Sequence, residues 1–131
     1  MNNPHVRLEA PEFAREGELV EYSVSVENTG DAPLELHLQG REIVFELSVV
    51  GDEGRIVWRR LEGKVSQAIL RVEILQPGES FSVHDTWDQK DLSGRRVAPG
   101  FYTLQASLPT DAAPLVSQDR LLHITSSVRR G

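Results

Sequence analysis

The sequence has no cysteine among its 131 residues, which removes both a disulfide framework and thiolate metal chemistry and leaves stability to apolar packing. It also lacks any apolar run near the ~20 residues needed to span a bilayer. The stretch Met1-Asn2-Asn3-Pro4-His5-Val6-Arg7-Leu8-Glu9 has neither the basic nor the apolar region of an export signal. A soluble, untargeted chain is expected, cytoplasmic in a reducing compartment, with export left open if a signal was removed upstream. Cations are in deficit: 14 Lys and Arg face 20 Asp and Glu, a net charge of -6. That balance disfavours phosphate backbones, so no nucleic-acid partner is expected. The chain length suits one domain spanning residues 1–131.

Catalytic and cofactor signatures are missing too. His5, His37, His84 and His123 fall in separate segments without the close His/Glu spacing of a helical metal site, and His37 and His84 take the polar parity of their segments. There is no Gly-x-Ser-x-Gly elbow, and Gly51 and Gly54 precede neither a helix nor a lysine, as a phosphate loop requires. Asp85, Asp88 and Asp91 are spaced by three, but the glycine and terminal glutamate of a calcium loop are wanting. No enzyme activity, metal or cofactor is expected.

What the chain does carry is period-two alternation. Val20, Tyr22, Val24 and Val26 alternate with Glu21, Ser23, Ser25 and Glu27, as in a half-buried antiparallel strand. Asn28-Thr29-Gly30-Asp31-Ala32-Pro33 supplies turn residues before Leu34, Leu36 and Leu38 resume the pattern. Residues 43–50 read as one strand, turned by Gly51-Asp52-Glu53-Gly54 into Arg55-Ile56-Val57-Trp58 as a hairpin. Further strands are expected at 5–9, 68–75, 80–87, 101–108 and 121–125. The best helical candidate, 61–70, is interrupted by Gly63 and weakened by Val65 and Ile69, leaving at most one turn. Residues 109–114 read as a mobile loop and 126–131 as a fraying tail. Strands at this spacing, with Gly, Pro, Asn and Asp between them, predict an all-β, immunoglobulin-like antiparallel β-sandwich of about eight or nine strands.

Pro99-Gly100-Phe101-Tyr102 resembles the tyrosine corner of such sandwiches, with the Tyr102 hydroxyl bonding back to nearby backbone. Leu104, Ala106 and Leu108 share its parity as core. Trp87 follows Phe81, Val83 and Asp85 and either closes the core or stands at a sheet edge; Trp58 ends a hairpin strand with the same two options.

Taken together, Phe45-Glu46-Leu47-Ser48-Val49, Val57-Trp58-Arg59, Ser66-Gln67-Ala68, Leu75-Gln76-Pro77-Gly78-Glu79-Ser80-Phe81, Trp87 and Pro99-Gly100-Phe101-Tyr102 resemble, in this order, the bacterial intracellular proteinase inhibitor family, BsuPI. The resemblance covers roughly residues 18–125, with Asn28-Thr29-Gly30-Asp31-Ala32-Pro33-Leu34-Glu35 fitting its upstream part. It implies an immunoglobulin-like sandwich that inhibits an intracellular subtilisin-like serine protease. Two departures stand out: Val65 where the family tends to place an aromatic, and a longer segment from Asp88 to Ala98.

An inhibitor of this kind needs a preorganised loop on a rigid scaffold. The polar, Gly-containing loops at 59–66 and 90–98 are the candidates. Leu92, Arg95 and Arg96 are the expected protein-binding contacts, with Arg59 and Arg60 as a second patch; the competing reading is that these are solvated loop cations. A different class remains open, a noncatalytic adhesion or assembly module that pairs an exposed strand edge or sheet face with another protein, a carbohydrate or an extracellular domain.

Overall fold

The computed structural model describes residues 5–39, 42–61, 71–108 and 115–126. Their strands are β1 (His5–Glu9), β2 (Phe13–Arg15), β3 (Val20–Glu27), β4 (Leu34–Gln39), β5 (Glu42–Ile43), β6 (Glu46–Val50), β7 (Ile56–Arg59), β8 (Arg71–Leu75), β9 (Ser80–Trp87), β10 (Gly100–Leu108), β11 (Leu115–Val116) and β12 (Arg120–Thr125). The expected helical turn at 61–70, the loop at 109–114 and most of the tail at 126–131 lie outside the described residues, as does the start of the strand expected at 68–75.

Three sheets form. One is β1-β3-β9, the second β2-β12-β10-β6-β7 with β11 against β10, and the third β5-β4-β8. The parity read from β3 is the parity observed: Val20, Tyr22, Val24 and Val26 are buried, while Glu21 and Glu27 face water. Leu47 and Val49 of β6, Leu104, Ala106 and Leu108 of β10, and Leu122 and Ile124 of β12 meet them in a shared core. Pairing is antiparallel except between β12 and β2. The leading segment therefore divides, β1 joining one sheet and β2 the other, around an immunoglobulin-like antiparallel sandwich.

The single strand expected over 43–50 is two. β5 pairs with β4 in the third sheet, whereas β6 pairs with β10 and β7 in the second. The chain changes sheets at Val44-Phe45, and the Phe45 ring drops into the core at 2% exposure, edge-on to Tyr22. With β2, β5 and β11 added, the described strands exceed the eight or nine expected. The additions are only two or three residues long, too short for alternation to show.

Asn28 holds the far end together. Buried at 1% exposure, it donates from Nδ2 to the carbonyls of Leu75 (2.8 Å) and Ala32 (2.9 Å), while its Oδ1 accepts from Gly30 N–H (3.0 Å). This side chain does for the 28–33 turn what a ladder does for a strand. At the opposite end Trp87 is wholly buried, packed 6.0 Å from Trp58 and 6.2 Å from Tyr102. Trp87 thus closes the core, and Trp58 packs half-buried against it. Truncating a tryptophan so placed costs about 3–5 kcal/mol.

Candidate functional site

The segment between β9 and β10 is a bonded structure rather than an open loop. Gln89 takes the left-handed conformation (φ +62°) and accepts from Val97 N–H at 2.8 Å, closing the neck. Lys90 and Arg96 pair as an antiparallel bridge, and Asp91 N–H donates to Arg95 O at 2.7 Å. At the tip, Asp91 Oδ1 accepts from Ser93 N–H, Ser93 Oγ–H and Arg95 N–H at 2.9, 2.7 and 3.0 Å. Gly94, at φ +85°, donates to Asp91 O and completes the turn. These bonds, the Ser93 hydroxyl foremost and then the Arg95 amide, hold the Asp91 carboxyl below its ordinary pKa although it is open to water.

Two further bonds fix the segment to the body. Trp87 Nε1–H donates to Lys90 O and Leu92 N–H donates to Val57 O, each at 3.0 Å, so the turn leans on β7. The Gln89 side chain, fully buried, reaches the other way: Nε2 donates to Arg15 O (2.7 Å) and Oε1 accepts from Gly17 N–H (3.0 Å). The Arg96 guanidinium lies over Gly17, 3.4 Å from where a Cβ would stand, and Gly17 itself has φ +88°.

The expected contact residues separate into kinds. Leu92 projects from the turn at 45% exposure, and Arg95 beside it is exposed. Arg96 is exposed as well but rests on Gly17. Arg59 lies on β7, on the outer side of its sheet in register with Ser48. Arg60 is a packing residue: its guanidinium sits 4.0 Å from the Phe45 ring centroid, donates to Phe45 O, and bonds Asp85 Oδ2 at 3.0 Å. Its side chain is only 17% exposed, which leaves little of it to meet a partner. The Tyr22 hydroxyl is buried within reach of this pair's field, without a hydrogen bond; burial first and then the Asp85 charge push its pKa far up. Of the expected loop at 59–66, residues 62–66 lie outside the described residues.

Beside the turn runs a groove of about 540 Å³ lined by residues that include Asp52, Arg55, Val57, Leu92, Arg96 and Tyr102. The Tyr102 hydroxyl donates to Ala98 O, the corner bond read from Pro99-Gly100-Phe101-Tyr102. Gln89 was not legible as a site residue; nothing in an isolated glutamine between Asp88 and Lys90 signals burial.

The outer faces of two of the sheets differ sharply. The β1-β3-β9 face presents Arg7, Ser25 and Ser82 in one row and Glu9, Ser23 and His84 in the next. The β2-β12-β10 face presents Phe13, His123 and Phe101 in one row and Leu121 in the next, with Phe101 stacked on His123 at 4.3 Å. Phe13, Phe101 and Leu121 are each more than half exposed. The aspartates at spacing three are engaged in ordinary bonds, Asp85 with Arg60, Asp88 with Lys90 N–H and Asp91 within its turn. No three His, Asp or Glu side chains among the described residues converge to hold a metal ion.

Solved structures similar to this chain include Spo0M, a sporulation control protein from Bacillus subtilis, with a TM-score of 0.60 at 14% identity over 95% of this chain and 50% of that one. A CARDB domain from Pyrococcus furiosus, solved with di-metal ions, gives 0.53 at 15% identity over 94% and 88%. The alkylpurine DNA glycosylase AlkC of Pseudomonas fluorescens gives 0.54 at 16% over 94% of this chain but 30% of its own. At such identities the likeness is one of fold. No curated protein matches the sequence. The family model for intracellular proteinase inhibitors, BsuPI, matches residues 9–113. That match spans most of the sandwich and the whole 88–98 segment, and the chain belongs to the BsuPI intracellular proteinase inhibitor family.

Proposed function

We propose that this protein inhibits an intracellular subtilisin-like serine protease and that the 88–98 turn, with Leu92 and Arg95 at its tip, makes the central contact. The observation that carries the reading is the bonding of that turn: an exposed apolar side chain stands on a segment tied at its neck, at its tip and to two other parts of the body. A contact segment ordered before binding avoids the cost of ordering it afterwards. Arg96 and Arg59 flank the contact, while Arg60 belongs to the scaffold. The family's description as intracellular supports a cytoplasmic setting, and no helix among the described residues is long and apolar enough to cross a membrane.

The tip is a tight turn rather than the extended segment that offers a scissile bond to a protease. Leu92 therefore acts as a wedge against the enzyme's apolar cleft, and the protein survives the encounter uncut. Titration into a subtilisin-like intracellular protease, with peptide hydrolysis followed and the protein examined by gel, is the test. Stoichiometric loss of activity with an intact inhibitor supports the reading; absent inhibition, or simple digestion, counts against it. A second reading, an assembly module, draws on the exposed Phe13, Phe101 and Leu121 face. Under it, Phe101→Ser with Leu121→Ser abolishes association with a partner protein.

A further inference from the structure

Leu92 and Arg95 are exposed, so their placement depends on what lies beneath them. Among the described residues, the buried polar side chains are Asn28, Gln89 and Ser117. Gln89 alone of these belongs to the 88–98 segment. A buried amide is retained where both its donor and its acceptor find partners, and Gln89 satisfies both on the main chain of the 15–17 turn, more than 70 residues away in sequence. Its own carbonyl closes the neck through Val97 N–H. Its backbone occupies the left-handed region, which is uncommon for a residue with a Cβ. Three constraints thus meet in one residue at the root of the turn.

We infer that Gln89 is the positioning residue of this surface: it clamps the 88–98 segment to the 15–17 turn, so that Leu92 and Arg95 are presented in one fixed geometry. The inference rests on the reading of this turn as the protease contact, and it adds a consequence. Without the clamp the segment opens, becomes extended enough to enter a protease cleft as substrate, and is cut within residues 88–98. The Arg96 guanidinium over Gly17 makes the same seam from the opposite side, but an exposed cation is easily replaced by water, whereas a buried amide is not.

Gln89→Gly removes both side-chain bonds at a φ of +62° that glycine adopts freely. Amide hydrogen exchange is measured on parent and variant, alongside limited digestion by proteinase K with the cuts mapped by mass spectrometry. In the parent the amides of Gly17, Ser93, Arg95 and Val97 are expected to be protected and the segment uncut. In the variant those four amides exchange roughly tenfold faster or more, the amides of β3 and β10 do not change, and cutting appears within 88–98. Inhibition of the target protease weakens by about tenfold or more as the variant is consumed. Unprotected amides in the parent, exchange rising evenly across the sandwich, or a variant that inhibits as well as the parent and stays uncut would each overturn the assignment. Should the parent inhibit no protease, the proposed function falls; the clamp is then judged by exchange and digestion, which need no target enzyme.

Discussion

The Tyr102 hydroxyl reaches back four residues to the Ala98 carbonyl while its ring stands edge-on to Trp87, and burial raises its pKa. Removing one hydroxyl leaves the ring contacts in place and an acceptor that water can still reach. Tyr102→Phe is therefore expected to cost about 0.5–1.5 kcal/mol, read as a lower midpoint in urea unfolding. An unchanged midpoint would remove the corner bond as a source of stability. Asp91 makes a different kind of prediction, because its worth depends on charge. Its pKa in the folded protein lies below the ordinary value, so the stabilisation is fully present above the unfolded pKa of about 3.9 and is lost as pH falls through the lowered folded value. The Ser93 and Arg95 amide signals should accordingly titrate by NMR with a midpoint below that of an ordinary aspartate. A midpoint at or above about 3.9 would mean that the turn is not held by the carboxylate.

Within its sheet, β9 is an edge strand, pairing with β3 alone. Edges of this kind invite intermolecular pairing unless something interrupts them, and Asp85 is a charge on the inward parity of β9, met there by Arg60. Asp85 is 41% exposed, so water screens the ion pair and its share is small. Arg60→Ala is expected to cost about 1–2 kcal/mol, mostly from lost packing on Phe45 and the bond to its carbonyl. A double-mutant cycle with Asp85→Asn tests the division: a coupling energy under about 1 kcal/mol fits, and one far larger would show that the charge pair dominates. The same cluster marks where sequence reasoning reaches its limit. Alternation located β3, β9 and β10 because each has one wet and one dry face, and Pro-Gly before Tyr102 located the corner. Arg60 reads as a loop cation because its partners, Phe45 and Asp85, lie 15 and 25 residues away and no local pattern joins them. Phe45 fits the parity of a continuous strand, yet it is where the chain leaves one sheet for another. β2 finds its partner by parallel pairing with β12 at the other end of the chain, a relation that three residues cannot announce.

Across the whole molecule, a polar face, an apolar face and one bonded turn are held in fixed relation by the core, and the candidate contact sets the exposed Leu92 close to the exposed Arg95 on a protein of net charge -6. That arrangement separates two properties that a buried site would mix. Leu92 and Arg95 contribute their main-chain bonds to the turn, while their side chains point into solvent. Leu92→Ser and Arg95→Ala should each leave thermal unfolding within about 0.5 kcal/mol of the parent. Their effects on protease binding should divide by rate constant. Under the proposed contact, Leu92→Ser is expected to speed dissociation by removing apolar contact with the enzyme. In the same proposed contact, with Arg95 meeting an acidic patch of the enzyme, Arg95→Ala is expected to slow association and to make it less dependent on salt than the parent's. Arg96→Ala is a less clean probe, since its guanidinium also rests on Gly17. Stopped-flow association at several salt concentrations reads both quantities. An association rate indifferent to salt and to Arg95→Ala alike would take Arg95 out of the contact and leave Leu92 as the group to pursue.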